Sequence, residues 1–238
     1  MAETKYKKIL LKLSGEALSE GADEGIYNYE VLDGICRQIK TVVDMGVSVS
    51  IVVGAGNIWR GAKQGVNMER NRADHMGMLA TVINCLAIAN TLENQGDGAV
   101  VMTTVSMPTF AEPYNFKNAK AHLDNGKVVI FGCGTGSPFF STDTGAVLKA
   151  AEMGVDAILF AKNIDGVYTA DPKKDKNAVK LESISYGEIL AKQLGVMDLA
   201  AAAFCQSNKL TTVVFGLNEE NSVVRVVSGE ALGTLVTP

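Results

Sequence analysis

The sequence predicts an α/β fold: one domain over residues 1–238, built as a three-layer αβα sandwich around a mainly parallel central sheet. Three observations lead there. Short apolar runs rich in β-branched residues recur along the chain, helical patterns separate them, and glycine-rich turns follow several of the runs. Strand and helix in alternation require crossover connections, which make neighbouring strands parallel and lay helices on both faces of the sheet. A chain of 238 residues, 47% of them hydrophobic, can fill one such core. No internal repeat or low-complexity linker divides it.

The elements follow in order. "KILLKL" (8–13) has the length and composition of a strand. Residues 28–45 carry Val31, Ile35, Ile39 and Val42 at helical spacing, and Gly46 stops them. "VSVSIVV" (47–53) is the second strand, and residues 74–93 read as a helix. The uncharged run "HMGMLATVINCLAIANTL" (75–92) lies in that helix, but Thr81, Asn84 and Asn90 break it. It reads as a core helix, packed partly against another subunit, and not as a membrane span. Strands "AVVM" (99–102), "KVVIF" (127–131), "DAILF" (156–160) and "TTVVF" (211–215) alternate with helices at 143–153 and 186–208, and with a weaker helical segment at 219–227. "TADPKKDKNAVK" (169–180) is polar enough for an exposed loop or a small excursion.

Charge and cysteine content narrow the function. With 26 acidic and 22 basic residues and no basic stripe, a nucleic-acid partner is not expected, whereas an anionic small molecule needs only a few placed cations. Cys36, Cys85, Cys133 and Cys205 lie far apart with no metal-ligand spacing, as suits reduced thiols in a cytoplasmic protein. The apolar stretch 9–13 is too short for a signal peptide and contains Lys12.

The glycines carry the strongest signal. Strand 8–13 runs into Ser14-Gly15, strand 47–53 into Gly54-Ala55-Gly56-Asn57, strand 127–131 into Gly132-Cys133-Gly134-Thr135-Gly136, and strand 156–160 towards Asn163 and Asp165-Gly166. In a parallel sheet these turns share the carboxyl edge, where α/β proteins bind ligands. Any one of them can be a mere tight turn. Together they present backbone N–H groups that suit phosphate. The familiar phosphate motifs are absent: there is no GxxxxGK[ST], Trp59 stands where a dinucleotide fingerprint needs its third glycine, and "GCGTGS" ends on Ser137.

Charged residues flank these turns. Lys12 lies inside an apolar strand, where an ammonium must reach an anion or water. Arg60 follows the second turn, and its planar fork suits phosphate oxygens or a surface position equally. Asp143 follows Ser141-Thr142 at a helix start and serves either as a cap or as the partner of Lys12 or a metal-bound water. Asp74, at the start of the 74–93 helix, has the same two readings, and neither His75 nor His122 shows a catalytic partner.

Taken together, "KILLKLSGEAL" (8–18), "VVGAGNIWRG" (52–61), "ADHMGMLATVIN" (73–84), "GTGSPFFSTDT" (134–144), "NIDGVYTADP" (163–172), "VMDLAA" (196–201) and "GTLV" (233–236) resemble the amino-acid kinase superfamily and, within it, the uridylate branch. The resemblance implies the carbamate kinase-like version of the αβα sandwich. It also implies transfer of the γ-phosphoryl group of ATP to UMP, with Mg²⁺ accompanying ATP, in pyrimidine nucleotide biosynthesis. Lys12, Leu13, Ser14, Gly15, Gly56 and Arg60 would then cradle ATP phosphates, and Asn163, Tyr168 and Asp171 would line its nucleoside end. Ala55, Asp74 and the run Thr135, Gly136, Ser137, Pro138, Phe139, Phe140, Ser141 and Thr142 would form the UMP site. Lys12, Arg60, Asp143 and Asp198 would act on the transfer, with Asp143 and Asp198 matching carboxylates that order the lysine or the metal. The resemblance extends to a homohexamer tuned by GTP and UTP, with "SEGADEGI" (19–26) at the effector-responsive loop. Three residues depart from the pattern: Ala55 replaces a glycine, Ser137 an asparagine and Cys133 an alanine. An alanine at position 55 is strained only if its φ is positive.

An acceptor phosphate is already an oxyanion, so the reaction needs positioning and charge stabilisation and no general base. Two other readings stay open on the residues: a superfamily kinase acting on a carboxylate or carbamate, and a nucleotide-binding regulator without turnover.

Overall fold

Alternation along the first strand sets the layers. In the computed structural model, which describes residues 4–22, 24–60, 64–172 and 174–238, strand β1 (Lys8–Leu13) points Ile9, Leu11 and Leu13 into one hydrophobic cluster and Leu10 into another. Successive side chains of a strand face opposite sides of its sheet, so a strand apolar on both sides must be covered twice. Lys12 shares the face of Leu10, and that parity decides what it meets.

The first face is covered by α1 (Tyr29–Asp44), α2 (Arg70–Asn94) and α7 (Ser222–Val227). Helix α1 starts where the Asn28 side chain accepts from the Glu30 and Val31 amides, and it buries Leu32, Ile35, Ile39 and Val42. Helix α2 enters the core through Cys85, Ile88 and Leu92. The opposite face carries α3 (Phe116–Asp124), α4 (Thr142–Met153), α5 (Tyr186–Lys192) and α6 (Leu199–Ser207), which supply Leu123, Val147, Ile189 and Ala202 to the second cluster.

Between them lies a sheet that, among the described residues, has nine strands. Six strands complete its centre and one flank: β2 (Ser48–Val53), β3 (Ala99–Thr103), β4 (Glu112–Pro113), β5 (Val128–Gly132), β6 (Ala157–Lys162) and β10 (Thr212–Gly216). A hairpin of β7 (Val167–Tyr168) and β8 (Lys180–Leu181) stands apart, while β9 (Ser183–Ser185) and β11 (Thr234–Thr237) close the far edge. The order is β4-β3-β5-β2-β1-β6-β10-β11-β9, and every pair is parallel except β10 with β11. Strands β5, β2, β1 and β6 are therefore neighbours and end on one rim.

Three expectations from the sequence are corrected. The 74–93 helix begins earlier, at Arg70, which places Asp74 one turn inside it. The single helix expected over 186–208 is two: Gln193 turns left-handed at φ 50°, Gly195 follows in the connection, and Asp198 caps a new start by accepting from Ala201 N–H. The weak segment at 219–227 is helical only from Ser222. The polar stretch 169–180, expected as an exposed loop or small excursion, is the connection of the β7–β8 hairpin, with Lys173 outside the described residues.

Candidate active site

Parity places Lys12 on the α4 side of β1, and the register puts it beside Val52 of β2 and Phe160 of β6. It is 6% exposed, and an ammonium so buried needs a countercharge. Asp143 supplies it: Lys12 Nζ lies 2.5 Å from Asp143 Oδ1. The sequence left Asp143 either as a cap or as this partner. The structure makes Ser141 the cap, its hydroxyl accepting from the Asp143 and Thr144 amides, and frees the Asp143 carboxylate to point at the strands.

A second ammonium reaches the same carboxylate. Lys162 ends β6, two residues after Phe160 and so on the same face, and its Nζ is 3.3 Å from Asp143 Oδ2. Both lysines lie over the Phe160 ring, at 5.9 and 5.3 Å from its centre. Burial pushes the Asp143 carboxyl up, but the two ammoniums outweigh it and hold it below its usual value. Burial pulls Lys162 down, and the charge of Lys12 adds to that pull. Lys12 and Lys162 thus share one carboxylate, and the charge of Asp198 also acts on Lys162. Sequence reading missed Lys162 because its alternation signal ends with the strand. Its place on the Phe160 face was the available clue.

The glycine turns after β1 and β2 lie against each other. A Cβ on Gly15 would stand 2.6 Å from the Gly54 carbonyl and 2.8 Å from Gly56 N. No side chain fits there, which is the physical reason for glycine at 15. Gly54 N–H donates to the Leu13 carbonyl and joins the turns further. Ala55 is buried and is not among the non-glycine residues with positive φ, so alanine is unstrained there. Arg60 pairs with Glu16, and its Nε donates to the Gly56 carbonyl.

The third turn does carry strain. Cys133 has φ 65° and Phe139 φ 72°, conformations that cost non-glycine residues about 1–3 kcal/mol each. Two clamps hold the segment between them. The Cys133 amide donates to Thr81 of α2, and the Phe139 amide donates to Asp74 at 2.8 Å. Asp74 is also bound by Arg70, whose guanidinium lies over the Phe139 ring at 5.3 Å. Gly136, at φ 78°, packs on Thr104, while the Thr135 hydroxyl donates to the Ser137 carbonyl. Phe139 and Phe140, which the sequence left open as core residues, are 67% and 56% exposed. Pro138 lies between Ser137 and Phe139 on the same exposed stretch. Asp198 takes the hydroxyls of Ser141 and Thr144 while capping α6, so it reaches the cluster through the start of α4 and makes no bond to Lys12. His122 pairs with Glu112 and lines neither cleft described below, and His75 is exposed on α2.

Two clefts open beside the glycine turns. The smaller, about 160 Å³, lies between α2 and the third turn and is lined by Ala55, Asp74, Thr81, Thr135, Phe140 and Thr142. The larger, about 630 Å³, lies beyond β6 and is lined by Ser14, Lys162, Asn163, Tyr168 and Asp171 among others. The Tyr168 hydroxyl donates to Asp165 and fixes the ring in that wall. Of the residues expected at the site, Ala55, Asp74, Thr135, Ser137, Phe140, Ser141 and Thr142 line the smaller cleft and Ser14, Asn163, Tyr168 and Asp171 the larger; Lys12, Gly15, Gly56, Arg60, Gly136, Pro138, Phe139, Asp143 and Asp198 line neither, and Leu13 points into the core instead.

The chain is similar to known proteins over nearly its whole length. The amino acid kinase family model matches residues 7–216. Among solved structures, the UMP kinase of Bacillus anthracis superposes with a TM-score of 0.93 at 40% identity, covering 98% of this chain and 96% of that one. The UMP kinase of Ureaplasma parvum gives 0.92 at 36% identity, over 98% and 100%. The uridylate kinase of Archaeoglobus fulgidus gives 0.76 at 28% identity, over 96% and 99%.

Proposed function

The chain belongs to the amino acid kinase family, and from that premise we propose that it is a nucleoside monophosphate kinase that moves the γ-phosphoryl group of ATP to UMP, giving UDP and ADP. One observation carries the proposal: the positive charge of two ammoniums, Lys12 and Lys162, gathers on the Asp143 carboxylate at the rim, with Lys162 lining the larger cleft and Thr142, next to Asp143, lining the smaller. Two polyanions brought end to end need such a charge between them, because phosphoryl transfer is governed by positioning and by stabilisation of spread negative charge. The larger cleft takes ATP, with Tyr168 and Asp171 at the nucleoside end. The smaller takes the UMP phosphate, with Thr135 and Thr142 as hydroxyl donors. Asp143 orients the two ammoniums, and Asp198 steadies Ser141 and Thr144 behind them.

The donor is MgATP. Among the described residues no group of three His, Cys, Asp or Glu side chains is placed to hold a metal ion, and Asp143 and Asp198 are already bonded. On this reading the ion arrives with the nucleotide as part of the substrate. On the same reading the protein is a cytoplasmic homo-oligomer, a hexamer responsive to GTP and UTP, serving pyrimidine nucleotide synthesis. The apolar stripe Met76, Leu79, Ile83 and Leu86 left exposed on α2 supports a second copy there.

Coupled ADP release with UMP, CMP, acetylglutamate and carbamate, each with and without GTP and UTP, tests the proposal. Turnover with UMP alone is expected. Turnover with a carboxylate or carbamate, or tight UMP binding without turnover, overturns it.

A further inference from the structure

One polar side chain on α2 is fully enclosed: Asn84 has no exposed surface. A buried amide is costly unless its donors and acceptor are all satisfied. Those of Asn84 are. Its Nδ2 donates to the Gly54 carbonyl at 2.7 Å and to Asn57 Oδ1 at 2.8 Å. Its Oδ1 accepts from Asn57 Nδ2 at 3.1 Å and from the Tyr27 hydroxyl at 3.0 Å. The two acceptors held by Nδ2 have a further property. They are the atoms that a Cβ on Gly15 would meet, each at 2.6 Å. The surface on which the first glycine turn rests is therefore the surface that Asn84 holds in place.

We propose that Asn84 is a positioning residue for phosphoryl transfer: through its Nδ2 it fixes the second glycine turn against the first, and so sets the spacing of the backbone donors that receive ATP. The proposal rests on reading this rim as a kinase site. Asn84 touches neither cleft. It acts through Gly54 and Asn57 and is distinct from Lys12 and Lys162. Misplacing reacting groups by about 1 Å costs on the order of 10²-fold in rate, so a loosened turn registers in turnover and not only in stability.

Three variants of the full chain test this, each followed by thermal unfolding, by kcat and KM at a temperature where it is folded, and by calorimetric titration with MgATP. Asn84→Asp keeps the shape and removes both donors; kcat falls at least tenfold and ATP affinity weakens severalfold. Tyr27→Phe removes one bond to Oδ1 and leaves both Nδ2 bonds, so kcat stays within about twofold of the unaltered chain. Asn57→Ala removes the reciprocal amide at the half-exposed rim without opening the core. It reproduces the Asn84→Asp loss and stands in for that variant if it does not fold. A folded Asn84→Asp protein with kcat and ATP affinity within twofold of the unaltered chain overturns the proposal. So does a Tyr27→Phe loss as large as that of Asn84→Asp. If the unaltered chain binds ATP but does not phosphorylate UMP, the functional reading fails while the ATP titration still judges Asn84. An unaltered chain that binds no ATP sinks both.

Discussion

Lys12 and Asp143 are not equivalent halves of a pair, because Lys162 shares the carboxylate. Removing Lys12 leaves Asp143 neutralised by Lys162, whereas removing the Asp143 charge leaves two buried ammoniums facing each other. Lys12→Ala is therefore expected to fold and to lose kcat by orders of magnitude. A loss below about tenfold, or about 1.4 kcal/mol of barrier, would contradict its place on the transferred phosphoryl group. Asp143→Asn is expected to destabilise the fold by about 3–5 kcal/mol, as breaking one side of a buried ion pair does, and denaturant unfolding measures it. The pH dependence has a definite sign. The Asp143 carboxyl sits below its usual 3.8 in the folded state, so its contribution is complete above that value and disappears as pH falls through the lower folded value. Unfolding titrations from about pH 6 to about pH 3 should show an acid limb that is shallower in Asp143→Asn than in the unaltered chain.

At the scale of elements, the segment from Cys133 to Thr142 ties strain to selectivity. Two residues there hold positive φ, and α2 fastens the segment through Thr81 and Asp74. Its side chains line the smaller cleft and not the larger one. Substituting Thr135 by Val should raise the KM for UMP several times more than that for ATP, and equal effects on both substrates would remove this segment from the acceptor site. Gly15→Ala acts between elements. Its Cβ would overlap the Gly54 carbonyl, so the turns after β1 and β2 must part, and KM for ATP should rise with kcat falling. The six longest strands and α1 were legible because each carries its own period. The break at 193–198 was not, because Gly195 and the Asp198 cap lie between two apolar stretches that fit one helical pattern end to end. Helix α3 and strand β11 escaped reading: α3 is short and polar, and β11 owes its strand state to pairing with β10.

For the whole molecule, α2 decides the outer surface. Met76, Leu79, Ile83 and Leu86 recur at spacings of three and four on its outward side, and Leu79 and Ile83 are 55% and 45% exposed. On the proposed homo-oligomer, this stripe is the surface that a second copy would cover. Combining Leu79→Glu with Ile83→Glu should reduce the sedimenting mass while leaving the circular dichroism unchanged. A chain that sediments as a monomer before substitution would refute the oligomer. Sequence alone determined the alternating α/β plan, the four glycine turns at one rim and the presence of a lysine where an apolar strand had no use for one. These follow from local periods and from glycine's conformational freedom, which act between near neighbours. Only the tertiary structure decided that Asp143 and not another carboxylate meets Lys12, that Lys162 joins them, and that Asn84 braces the glycine turns. Those contacts join residues far apart in the chain, and their geometry is set by strand register and by which face each residue occupies once the sheet has formed.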